Sequence, residues 1–118
     1  MSIFPMENLT IENFLVLSKV DIPIKKVNIV IGPQSVGKSI IAKVLYFIYS
    51  IPNEIRDGIF EGSQEKEIFE KLTDSFKKIF PPSYWSINNF KIVYKLDDLV
   101  ITISNVQERK KSLNIEFN

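Results

Sequence analysis

The rhythm of apolar and polar positions changes three times along the chain. The first third is rich in β-branched and aromatic residues, in the stretches "LTIENFLVL" and "KVDIP", with Asn13 and Asp21 as breaks. That composition predicts strands. A tighter apolar run, "KKVNIVIG", stops at a glycine, as a buried strand does. The next run, Lys38 to Ser50 ("KSIIAKVLYFIYS"), is too long for one strand and reads as a helix. Pro52 is expected to end it, because proline disfavours the helical region for the residue before it. After Ser39, only Lys43 and Ser50 are polar in this helix, so it is expected to be buried on most faces. From Ser63 the period lengthens again. Ile68, Leu72, Phe76 and Phe80 lie four apart, with Phe69 and Ile79 alongside, which predicts an amphipathic helix. Ser63 is the expected N-cap, glutamates fill the first turn, and Lys77 and Lys78 sit in the last, as the helix dipole prefers. Pro81 and Pro82 stop it. The tail returns to strands: "FKIVYKL", a turn at Asp97 and Asp98, "LVITISN", a polar turn "VQERKKS", and "LNIEF". The segment "NEIRDGIFEGSQ" is the expected mobile connection. No internal repeat or low-complexity tract is present.

Length and composition narrow the picture without deciding it. A chain of 118 residues, 45% hydrophobic and 25% charged, fits one globular domain or part of one. Net charge is +1, and of fifteen basic residues only Arg56 and Arg109 are arginine, which argues against a nucleic-acid surface. The chain has no cysteine and no histidine. Disulfides and thiolate metal sites are excluded, along with the usual general base and the commonest metal ligand. The start "MSIFPMENLT" lacks the features of a secretory signal, and no apolar run is long enough to span a bilayer, so a cytoplasmic location is expected.

One stretch carries chemistry. Gly32-Pro33-Gln34-Ser35-Val36-Gly37-Lys38-Ser39 fits G-x-x-x-x-G-K-[ST] at every fixed position, between an expected strand and an expected helix. Four glycines, thirteen lysines and fourteen serines plus threonines would produce the pattern by chance in about 0.2% of shuffled chains. Gly32 permits a tight exit from the strand, and Gly37 allows backbone to approach a phosphate closely. Backbone N–H groups from Gln34 to Lys38 can form an anion nest, and the helix N-terminus adds partial positive charge there. Lys38 would meet the β- and γ-phosphates, and the Ser39 hydroxyl would coordinate Mg2+. The plain alternative is a glycine turn between strand and helix with an exposed lysine.

The segment "LTIENFLVLSKVDIPIKKVNIVIGPQSVGKSIIAKVLYFI" resembles the N-terminal lobe of ABC-type P-loop ATPases of the RecF and structural-maintenance-of-chromosomes kind, and of the overcoming-lysogenization-defect nucleases. Asn13-Phe14 and Lys19 to Ile22 stand where that lobe ends its first strand and forms a short second one. The resemblance covers about the first 50 residues. It implies an α/β fold, with a mixed sheet around the Walker A helix and an antiparallel β-hairpin region. It implies one ATP-binding domain over residues 1–118, Mg-ATP as ligand, and association with a second head or a partner chain, often on DNA. Departures are equally plain. Gln34-Ser35 replaces Asn-Gly, no Leu-Ser-Gly-Gly-Gln signature is present, and no apolar run ends in Asp-Glu. The lobe therefore reads as incomplete for hydrolysis, and no catalytic residue is assigned. Asp97, Asp98 and Gln107 are weak substitutes, better suited to turns. A GTPase would need Asn-Lys-x-Asp, and a small-molecule kinase more arginines. Lys25-Lys26, Lys77-Lys78 and Arg109-Lys110-Lys111 could touch DNA but read as solvated turns and helix ends, and Phe69, Phe76, Tyr84 and Trp85 read as core. Three functions remain: half of an ATPase in DNA maintenance or phage defence, a nucleotide-gated assembly module, or an inactive fragment.

Overall fold

The computed structural model describes residues 6–24, 36–106 and 109–118. Five strands and two long helices follow in the order β1 (Glu7–Phe14), β2 (Leu17–Pro23), α1 (Val36–Phe60), α2 (Glu65–Ile79), β3 (Lys91–Leu96), β4 (Leu99–Val106) and β5 (Arg109–Phe117). A single 3-10 turn at Pro82–Tyr84 follows α2. The strands form one sheet in the order β2-β1-β3-β4-β5, and all four ladders are antiparallel. The mixed sheet implied by the resemblance is therefore absent among the described residues. The strand expected at 25–32 lies outside them.

Alternation explains the sheet. Leu9 and Ile11 of β1 face the same side as Ile92 and Tyr94 of β3, Ile101 and Ile103 of β4, and Ile115 of β5. All of these are buried. The odd-even partners Thr10, Lys95, Thr102 and Glu116 face the other way and stay partly or fully in water. A one-sided antiparallel sheet of this kind needs cover on its apolar face only. Both helices supply it, and the buried residues of sheet and helices merge into one core.

At one end of that core sits a cluster of rings. Phe14 packs edge-on against Phe80 at 4.9 Å, and Phe47 of α1 meets Phe76 of α2 edge-on at 5.3 Å. Trp85, fully buried, donates its indole N–H to the Phe80 carbonyl at 2.8 Å. That bond satisfies the one polar atom of the ring in an apolar setting.

Helix α1 departs from expectation in two ways. It does not end at Pro52 but continues to Phe60, with the proline ring exposed inside it. Proline removes one main-chain donor and crowds the preceding turn, yet here the helix continues through it. Ile51 is buried on one side of it and Gly58 beyond it, so packing holds both halves helical. Nor is α1 buried all round: Tyr46, Tyr49 and Phe60 are exposed along it. The segment expected to be a mobile connection is thus mostly the end of α1.

The α1–α2 joint is closed by hydrogen bonds. Ser63 N–H donates to the Gly58 carbonyl at 2.9 Å and Gly62 N–H to the Ile59 carbonyl at 3.1 Å, with Gly62 at φ 74°. This is a Schellman cap, in which the left-handed residue favours glycine. Because the Ser63 amide serves that cap, the N-cap of α2 is Gln64 rather than Ser63. The Glu67 carboxylate reaches back to accept from Gln64 N–H at 3.0 Å, in the manner of a capping box.

Candidate phosphate-binding site

Gly32, Pro33, Gln34 and Ser35 lie outside the described residues; Val36 opens α1, and Gly37, Lys38 and Ser39 complete its first turn. The Lys38 and Ser39 side chains are exposed, and the first turn holds no acidic residue. The first four N–H groups of a helix lack partners within it, and the macrodipole is positive there. An anion reaching this end meets donors, a cation and a hydroxyl without a competing carboxylate on the turn. Gly37 also has a reason of its own to be glycine. A Cβ at that position would stand 3.3 Å from Leu17 Cδ2, so the start of α1 sits close against the start of β2.

The strand register decides the fate of the two aspartates. Asp97 and Asp98 form the two-residue β3–β4 hairpin loop, with Leu96 paired to Leu99. Asp97 has φ 51°, donates its N–H to the Met6 carbonyl at 2.8 Å, and accepts from Met6 N–H at 2.9 Å. This ties the loop to the beginning of β1. Gly37 touches Leu17, which pairs with Phe14 at the end of β1. The aspartates and the first turn of α1 are therefore separated by most of a strand: seven steps at about 3.3 Å, roughly 23 Å. Asp97 and Asp98 are turn residues.

Gln107 lies outside the described residues. Of the other aromatic candidates, Phe76 and Trp85 are core, Phe69 packs at 5.8 Å from Phe117, and Tyr84 is exposed. Lys77 and Lys78 close α2 as expected, while Lys25 and Lys26 lie outside the described residues. Among the described residues no cluster of three acidic, histidine or cysteine side chains is placed to hold a metal ion. Among the described residues, no helix is long and apolar enough to cross a membrane.

Two features at the far end of the molecule were not apparent from local sequence. The Glu7 carboxylate accepts from Tyr49 Oη at 2.6 Å and from Tyr94 Oη through the same oxygen. Burial, then the hydrogen bond and charge of Glu7, push the Tyr49 hydroxyl up to about 12. The same causes in the same order raise Tyr94 further. Beside this cluster an open apolar groove of about 600 Å³ runs between the second half of α1 and the ends of β3, β4 and β5. Ile55 and Ile59 line one wall and Leu99 and Phe117 the other. Glu7 is 42 residues from Tyr49 and 87 from Tyr94, so no spacing rule could have joined them.

Compared with protein-family models, with curated proteins and with solved structures, the chain finds no match.

Proposed function

We propose that the chain binds a nucleoside triphosphate, ATP with Mg2+, through Gly32 to Ser39, as the nucleotide-binding lobe of an ABC-type ATPase head. The observation that carries this reading is the continuity of the motif with a helix. The pattern G-x-x-x-x-G-K-S ends in the first turn of α1, where Lys38 and Ser39 are open to solvent. Those two residues fit the ligand: an ammonium for the β- and γ-phosphates and a hydroxyl for the metal. The Mg2+ that the Ser39 hydroxyl would help to hold would supply positive charge against the phosphates. The chain's own part is to hold the phosphates by backbone N–H groups, Lys38 and the helix end.

The family resemblance extends the proposal to a cytoplasmic head acting in DNA maintenance or phage defence. The position of Asp97 and Asp98 favours a second reading of the same site. With no acidic strand end near α1 among the described residues, nucleotide would gate assembly rather than be turned over by this chain alone. Titration calorimetry with Mg-ATP tests the common core. Lys38→Ala should weaken binding on the order of 10- to 100-fold, as loss of a hydrogen bond to a charged group does. Equal affinity in the variant would overturn the assignment.

A further inference from the structure

The two edges of the sheet differ in a way that bears on assembly. Edge strands offer unpaired main-chain groups to other strands, and soluble proteins blunt them with lysine, proline, bulges or charge. Strand β2 is blunted: Lys19, Asp21 and Pro23 are exposed along it. Strand β5 carries such devices only in its first part, where Arg109, Lys110 and Lys111 lie and the register shifts opposite Asn105 and Val106. From Leu113 to Phe117 it is regular, with Glu116 as its one charge.

The hydrogen-bond phase of that stretch is defined. Val100 and Asn118 exchange both of their main-chain bonds, at 3.1 and 2.9 Å. Bonded pairs recur at every second residue of an antiparallel ladder. Glu116 and Asn114 therefore spend their N–H and C=O groups on Thr102 and Ser104 of β4. Leu113, Ile115 and Phe117 direct theirs away from β4, along an edge that no other described strand covers.

We infer that Leu113–Phe117 is a self-pairing edge that joins two copies of this chain, antiparallel about a two-fold axis at Ile115. The register is self-complementary. Leu113 faces Phe117 of the second copy, Ile115 faces Ile115, and Phe117 faces Leu113. Each of these pairs joins outward-directed groups, so three donors and three acceptors per copy are satisfied together. All three side chains stand on the apolar face of the sheet, so the pairing also continues the buried rows across the junction. On the opposite face Asn114 meets Glu116, and no like charges are opposed. Lys110 and Lys111 fall beyond the paired stretch. The axis is perpendicular to the sheet, which keeps the helices of both copies on one side. Five residues per copy make a small interface, so the association belongs to the weak, reversible class.

Sedimentation equilibrium of the full chain without nucleotide, from micromolar to millimolar, should show a monomer–dimer equilibrium. Amide exchange followed by NMR should show the Leu113, Ile115 and Phe117 amides becoming protected as concentration rises. Asn114→Glu places one carboxylate opposite Glu116 of the other copy, and symmetry repeats the pair. It should weaken the dimer about tenfold. Asn114→Lys should tighten it by a similar factor, and both substitutions are at an exposed position that leaves the chain folded. A monomer at every concentration overturns the inference. So does a dimer whose three outward amides stay unprotected and whose strength ignores the charge at position 114.

Discussion

Gly58 of α1 lies close against Ile68 of α2, and changing it to alanine has two opposed effects. Alanine is favoured over glycine inside a helix by about 1 kcal/mol. Here its Cβ would stand 2.6 Å from Ile68 Cγ1 and 2.9 Å from Ile68 Cδ1, inside any tolerable contact. Ile68 lies in the first turn of α2, is half-buried, and is β-branched, so its χ1 cannot swing the Cγ1 group away without cost. Overpacking of this kind costs about 1–3 kcal/mol. The net expectation for Gly58→Ala is a loss of about 1 kcal/mol, a fall in Tm of about 4 °C. Thermal melts followed by circular dichroism and by the fluorescence of buried Trp85 measure it. The Ile68→Ala background provides the decisive comparison. With Cγ1 removed, the same Gly58→Ala change should raise Tm, because only the helix preference remains. A rise in both backgrounds would refute the packing argument.

The remaining expectations concern chemistry. The purified chain should bind ATP yet release phosphate at the uncatalysed background, and Asp97→Asn and Asp98→Asn should change neither property. Turnover near one per second, the low end of enzyme rates, that vanished in Lys38→Ala would instead show a complete site. At alkaline pH the raised tyrosines should matter. The folded chain keeps the Tyr49 proton up to about 12, whereas the unfolded chain releases it near 10. This contribution is therefore complete below pH ~10 and is lost as pH rises toward 12. Urea midpoints across that range should fall less steeply for Tyr49→Phe; identical slopes would show that the folded chain does not hold the Tyr49 proton.

What could be read from the residues was whatever local rules control. Asp97-Asp98 between two alternating runs announces a hairpin, and the loop is there. The spacing of Ile68, Leu72 and Phe76 announces α2, and Leu72 and Phe76 are its buried residues. Pro52 misled because its effect on Ile51 is local, whereas the burial of Ile51 against the rest of the core is not. Ser63 misled because its amide, not its hydroxyl, has the structural task. The place of β1 between β2 and β3 depends on partners some eighty residues apart, such as Leu9 and Tyr94. Of the phosphate motif, the pattern itself and the start of a helix were legible. The separation of Asp97 and Asp98 from that helix required the strand register.

The same central position of β1 has a bearing on synthesis. Strands β1 and β2 emerge from the ribosome first and can pair at once, since their turn is local. The other edge of β1 must wait for β3, from Lys91 to Leu96. At about 5–20 residues per second, the chain from Pro23 to Leu96 takes roughly 4–15 s to make. During that interval Leu9 and Ile11 have no sheet partner on one side, and α1 has no β3 or β4 to pack on. Pairings between distant residues are also slow to form, because a long loop must close before any contact rewards it. The nascent chain is thus most open to wrong strand pairing while its two helices are being made. Conditions that slow elongation through residues 36–90 lengthen that exposure, and faster completion of the C-terminal hairpins shortens it.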